Sequence, residues 1–240
     1  HPSTGTARLG IGCRRAEGRS GKRHGSHTGR GPLRRKLAPM TLSVNIFLSV
    51  DGVMQGPGSV DEDLSGGFDR GGWLAPYLHD LTVGQIVNGW LARADSLLLG
   101  RYTYDMMHPF WELVTDPDDA VAYALNHLPK YLVSSTVENP TWHNTRVLPG
   151  NPLNAVEELK RGRGEIQVHG SHRLARTLHD AGLVDEFRLL VFPVVVGTGK
   201  RLFDAGSVPS GFQVLESETL DSGTFHLRLR PIPFGTAEMG

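Results

Sequence analysis

The stretch EIQVHGSHRLARTL, Glu165 to Leu178, decides how this chain is read. Ile166 and Val168 form a short apolar strand that runs into Gly170-Ser171. A helical pattern follows at once, with Leu174, Ala175 and Leu178 on one face. A strand, a tight glycine turn and a helix start make a place for an anion. The first helical N–H groups have no intrahelical acceptor, and the helix dipole adds partial positive charge there. Gly170 would let a ligand approach the backbone where a Cβ would block it. His172 and Arg173 add donors. The same residues would equally serve a plain turn, which needs glycine anyway. With a single glycine this is not the dinucleotide fingerprint G-x-G-x-x-G.

Working outward, strands and helices alternate from Met40 onward. Strands are expected at Leu42–Val50, Ser96–Leu99, Lys130–Ser134, Trp142–Leu148 and Glu186–Val195. Helices are expected at Pro76–Ala94, Arg101–Met107, Pro117–Leu128 (with Asp116 as N-cap) and Pro152–Arg161. Gln213–Glu218 and Thr224–Arg230, joined through Ser222-Gly223, read as an antiparallel hairpin. This pattern predicts one α/β domain with a mostly parallel sheet. Asp51–Gly72 is a polar loop with seven glycines, too long for a mere connector and a candidate lid.

Charge and composition narrow the function. The chain carries 25 Lys/Arg and 25 Asp/Glu. Ten of the bases and one acid fall in residues 1–39, leaving fifteen bases and twenty-four acids in the remainder. The domain that folds is therefore acidic, which argues against nucleic acid as a partner. The Gly-, Arg- and Ser-rich first 39 residues lack the apolar content to fold alone and are read as a disordered basic tail. Met40 is taken as the natural start. The one cysteine, Cys13, lies in that tail, so Cys-based metal sites are excluded from the domain. Apolar runs are too short to cross a membrane. The chain is expected to be cytoplasmic, to act on a small molecule, and to hold no metal, since His169 and His172 have no evident third ligand.

Two more strand ends repeat the opening arrangement. LLLGRYTYDMM (97–107) places Gly100 after a buried strand, with Arg101 and Thr103 opening a helix. Arg101 offers a fork that matches phosphate oxygens. KYLVSST (130–136) ends in Ser134-Ser135, and ligands of α/β sheets collect at that strand edge. LSVDGVM (48–54) ends the first strand in Asp51-Gly52.

These segments, in this order and together with LVDEFRLLVFPVVVGTGKRLF (183–203), resemble the dihydrofolate reductase-like family over about Met40 to Arg230. The resemblance is closest to the reductase domain of the bifunctional riboflavin-biosynthesis deaminase/reductase. It implies a three-layer α/β fold with a mostly parallel central sheet and a C-terminal antiparallel hairpin, occupying residues 40–240. It implies an NADPH-dependent reductase in which Gly52, Gly100, Arg101, Thr103, Ser134, Ser135, Gly170, Ser171, His172 and Arg173 hold the cofactor, Arg101 taking the 2′-phosphate. It implies a homodimer and a ribosylamino-pyrimidine-type substrate, as in riboflavin biosynthesis. Asp80 is the first choice for proton donor and His169 its rival, while Asp51 fixes the first turn near the nicotinamide. The alternatives are an NADPH-binding protein without turnover and a true dihydrofolate reductase. The threonine expected on the long central strand for folate reduction is replaced by Val191.

Overall fold

The computed structural model describes residues 40–235. The basic tail therefore lies outside the described residues. β1 (Thr41–Ser49) alternates strictly: Leu42, Val44, Ile46 and Leu48 enter one apolar cluster, while Ser43, Asn45, Phe47 and Ser49 turn to the other face. The remaining strands are β2 (Ser96–Gly100), β3 (Lys130–Val133), β4 (Thr145–Val147), β5 (Glu165–His169), β6 (Glu186–Phe192), β7 (Ser210–Thr219) and β8 (Phe225–Pro233). They form one eight-stranded sheet in the order β4-β3-β2-β5-β1-β6-β8-β7. All pairings are parallel except β6–β8 and β7–β8, so the mostly parallel sheet with a terminal antiparallel pair stands as expected.

Five helices cover the sheet: α1 (Leu81–Leu91), α2 (Arg101–Trp111), α3 (Ala120–His127), α4 (Pro152–Lys160) and α5 (His172–Asp180). Val156 of α4 and Leu174, Ala175 and Leu178 of α5 complete the cluster on one face. Val83 and Trp90 of α1, Tyr104 of α2 and Leu125 of α3 close the clusters on the other. β2 is buried on both faces, Leu98 toward α5 and Leu97 and Leu99 toward α3, as a central parallel strand must be.

Some boundaries differ from the sequence reading. α1 starts at Leu81, not Pro76, because the Asp80 side chain accepts from the Thr82 amide at 2.9 Å and so sets the N-terminus there. α3 starts at Ala120 because Asp119 is its cap; Asp116 instead closes a turn on the Asp118 amide. α2 runs to Trp111, with Pro109 tolerated in its last turn. β6 stops at Phe192, just before Pro193.

Beneath α1 the sheet buries a ladder of charge. Arg188, 1% exposed, binds Glu165 through two nitrogens at 2.6 and 3.1 Å and Glu186 at 2.6 Å. Arg228 takes the other side of Glu186 at 3.0 and 3.2 Å. Burial alone would raise the pKa values of both glutamates; the arginine hydrogen bonds outweigh it and hold both below the ordinary 4.5. Removing one member of such a network leaves a buried charge without its partner. Arg188→Met should therefore cost about 3–5 kcal/mol in urea unfolding at pH 7. The native glutamate pKa values lie below their unfolded ones, so this stabilisation is present above pH 4.5 and is lost as pH falls through the native values. The gap between wild type and Arg188→Met should accordingly shrink on acidification; a gap that is constant with pH contradicts the ladder.

Candidate functional site

The C-terminal ends of β2 and β5 lie side by side and open a cleft between them. Two helices begin here, α2 directly after Gly100 and α5 directly after Ser171. Neither N-terminus is closed by a side chain. By contrast α1, α3 and α4 are capped by Asp80, Asp119 and Asn151. The two helices that begin at these strand ends thus keep their first-turn N–H groups available, with both dipoles adding positive potential.

One side chain ties the two turns together. Ser171 Oγ accepts from the Gly100 amide at 2.9 Å and donates to Thr103 Oγ1 at 2.7 Å. The approach leaves no room at Gly100, where a Cβ would lie 2.9 Å from Ser171 Oγ. To reach this position the chain takes two left-handed residues in succession, Gly170 at φ 71° and Ser171 at φ 61°. For serine that conformation is uncommon and points to a requirement at the site.

Gly100, Arg101, Thr103, His169, Gly170, Ser171, His172 and Arg173 all line this one cleft. Arg101 is exposed at its rim. It pairs with Asp105 at 2.5 Å and reaches Thr136 Oγ1, so it bridges toward the Ser134-Ser135 turn. Ser134 and Ser135 do not line the cleft wall; Ser134 Oγ accepts from the amides of Thr136 and Val137 and shapes that turn. His172 is half-buried, with Nε2 3.5 Å from Asp204.

Asp80, expected as proton donor, sits elsewhere. Asp80 does not line the cleft. Its carboxylate caps α1 and accepts from the Ser222 amide at 3.1 Å, tying the helix to the β7–β8 turn. Burial pushes its pKa up, but the Ser222 and Thr82 hydrogen bonds win and lower it. Asp51 is an anchor: it accepts from Ser49 Oγ (2.7 Å) and from the Val196 and Gly197 amides (3.0 and 2.8 Å), and pairs with Arg201. Against the effect of burial, these hydrogen bonds hold its carboxyl at about 2. Gly52 turns the chain beside it at φ 78°, away from the cleft lining.

His169 does face the cleft, and its tautomer is set from behind. The Gln167 amide donates to the Trp90 carbonyl (2.6 Å) and to Glu165 (2.5 Å), leaving its Oε1 to accept from His169 Nε2 at 2.8 Å. His169 Nδ1 is then an acceptor. Burial, with a smaller push from the Arg188 charge, lowers its pKa to about 4. Asn45, 3% exposed and paired in register with His169, lines the same floor. Its Nδ2 donates to Ser43 Oγ, and its Oδ1 has no partner; nor have Asn88 Oδ1 and Trp90 Nε1, both from residues of the same wall. Buried polar atoms left bare are costly, so these are natural contacts for a ligand. The sequence reading missed Asn45, whose place in an apolar strand gave it no motif.

The glycine-rich loop closes over the other side. Asp63 accepts from Tyr102 OH (2.8 Å), and Lys200 Nζ reaches Asp63 and Ser65 Oγ, each at 2.6 Å. The loop is thereby latched both to α2 and to the Gly197–Arg201 segment.

Residues 40–226 match the RibD C-terminal domain family. The chain belongs to that family. An uncharacterised Bacillus subtilis protein, YyaP, is 31% identical over 140 residues, covering 58% of this chain and 74% of its own. Two solved structures share the fold. One is a Shewanella protein named for riboflavin biosynthesis (TM-score 0.58, 19% identity, 80% of this chain and 99% of that one). The other is a diaminohydroxyphosphoribosylaminopyrimidine deaminase/5-amino-6-(5-phosphoribosylamino)uracil reductase of Thermotoga maritima (TM-score 0.54, 14% identity, 81% of this chain). This chain spans 57% of that bifunctional protein. Among the described residues no helix is long and apolar enough to cross a membrane.

The imidazole assignment is directly measurable. A nitrogen-detected NMR titration of His169 should give the Nε2–H tautomer and a midpoint near pH 4. Gln167→Leu should lose the tautomer preference. A midpoint above 6 would contradict the arrangement.

Proposed function

We propose that the chain is an NADPH-dependent reductase acting on a small heterocyclic substrate of the ribosylamino-pyrimidine type. The observation that carries this reading is the pair of uncapped helix N-termini, α2 and α5, held against each other by Ser171. Two adjacent sets of free amides suit the two phosphates of a dinucleotide better than one isolated phosphate. The absence of a Cβ at Gly170, where the nearest atoms are those of Thr103 at 3.8 Å, lets the diphosphate approach the backbone, while Gly100 makes room for Ser171. Family membership supports the same reading.

In this reading the Gly100–Thr103 and Gly170–Arg173 turns bind the diphosphate, and Arg101 binds the 2′-phosphate beside the Ser134-Ser135 turn. When bound, reduced nicotinamide supplies the hydride. The protein's own residues orient the substrate: Asn45 Oδ1 and His169 Nδ1 accept from its N–H or amino groups, and Trp90 Nε1 can donate to a carbonyl. The carboxylates of Asp51 and Asp80 hold no proton at neutral pH, so neither delivers one. With Asp80 turned to the β7–β8 hairpin, folate reduction loses the acid that the resemblance lends it. The same lack of a protonated acid favours, as a second reading, a nucleotide-binding protein without turnover; NADPH oxidation by a panel of pyrimidine and pterin substrates separates the two.

Thermal shift with NADPH and NADH tests the cofactor. NADPH should stabilise the protein and NADH less. Arg101→Ala should weaken NADPH binding about tenfold or more, as loss of charge-assisted hydrogen bonds worth ~1.5–3 kcal/mol requires, and should leave NADH unchanged. No stabilisation by either nucleotide would overturn the reading, and a preference unaffected by Arg101→Ala would overturn the 2′-phosphate role.

A further inference from the structure

A second cluster of ligand atoms lies outside the cleft, on the hairpin at the sheet edge. His226 on β8 stands opposite Glu218 on β7, and Glu216 precedes Glu218 by two residues on the same face. One donor atom from each of the three lies within 4.8 Å of the other two. His226 is 6% exposed, and neither of its ring nitrogens has a hydrogen-bond partner. A buried imidazole with both nitrogens bare is costly unless something else occupies one of them. Burial lowers its pKa, against the pull of Glu216 and Glu218, and so favours the neutral form that ligates metals.

The surrounding charges leave room for a cation. Arg228 takes Oε2 of Glu216 at 2.8 Å and leaves the second oxygen, while Glu186 holds the rest of that guanidinium. Glu218 makes no ion pair among the described residues. Across this face Glu165, Glu186, Glu216 and Glu218 stand against Arg93, Arg188 and Arg228, so one carboxylate is unmatched.

We propose that Glu216, Glu218 and His226 bind a divalent transition-metal ion, with Zn²⁺ favoured over Mg²⁺, and that the ion pins β7 to β8. One imidazole nitrogen with two carboxylate oxygens is a donor set for Zn²⁺ and its neighbours, whereas Mg²⁺ prefers oxygen alone. Metal–ligand bonds of about 2.0–2.2 Å require the three donors to draw slightly closer, a movement open to two exposed glutamates. Water completes the coordination. The three ligands lie outside the cleft lining, though His226 packs against Trp90 of the cleft wall with ring centroids 6.0 Å apart, and the proposal stands whether or not the chain is a reductase.

Isothermal titration of ZnCl₂ and of MgCl₂ into the full-length wild type, Glu218→Gln and His226→Gln tests it. The chain has eleven histidines, so Zn²⁺ uptake alone is not the measure; its loss in the variants is. The wild type should show a Zn²⁺ site weakened at least tenfold in each variant, and no comparable Mg²⁺ site. Zn²⁺ should also raise the wild-type Tm and not that of the variants. Should His226→Gln fail to fold, the exposed Glu218→Gln carries the test. Absence of Zn²⁺ binding in the wild type, or equal binding in Glu218→Gln, overturns the proposal.

Discussion

The cleft depends on one hydroxyl. Ser171 Oγ receives the Gly100 amide and gives its proton to Thr103, and in doing so locks the turn after β5 to the turn after β2. Those turns belong to strands that pair directly, and their helices pack on opposite faces of the sheet, so this contact joins the two helix starts through the strand ends. The contact also explains the sequence around it. Gly100 must lack a side chain because Ser171 occupies that space, and Ser171 must adopt a left-handed backbone to get there. A side chain spent on joining two turns cannot cap its own helix, so the first amides of α5 stay open. Strain, close approach and free donors are thus consequences of a single hydrogen-bonded contact.

Behind the cleft the sheet carries polarity inward. From the Arg228–Glu186–Arg188–Glu165 ladder, hydrogen bonds run through Gln167 to His169 at the cleft floor. An ion pair in such a place adds little net stability over an apolar core of the same volume, because desolvation offsets much of the attraction. Its effect is to orient. Glu165 fixes Gln167, Gln167 fixes the imidazole tautomer, and Asn45 is left with a bare carbonyl oxygen beside it. The floor therefore presents acceptors with defined directions while remaining uncharged at neutral pH.

Much of this was legible in the sequence where the signal is local. The alternation of Leu42–Leu48, the glycines at the ends of β2 and β5 and the β7–β8 pair all follow from periodicity and turn chemistry, and they place eight of the expected residues around one cleft. The misreadings came from competition between neighbouring signals. Asp80 looks like an acid on the first helix, yet an aspartate just before a helical run is also an N-cap, and the structure uses it as one. Asp116-Pro117 offers a helix start that Asp119, three residues on, takes instead. Asp51, expected to fix the first turn, does accept from Ser49 Oγ, but its further partners Val196, Gly197 and Arg201 lie some 145–150 residues away in sequence and could not be read locally. Asn45 and the Glu216–Glu218–His226 cluster carry no motif, because their neighbours come from other strands.

In the proposed reading the amides of two helix N-termini, those of α2 and α5, bind one dinucleotide. Backbone amide NMR of the assigned protein during titration with NADPH addresses it most directly. The resonances of Gly100–Thr103 and Gly170–Arg173 should move together along one saturation curve, while those of the capped starts of α1, α3 and α4 stay in place. Saturable binding that leaves either of the two turns unmoved, or no binding at all, would contradict it.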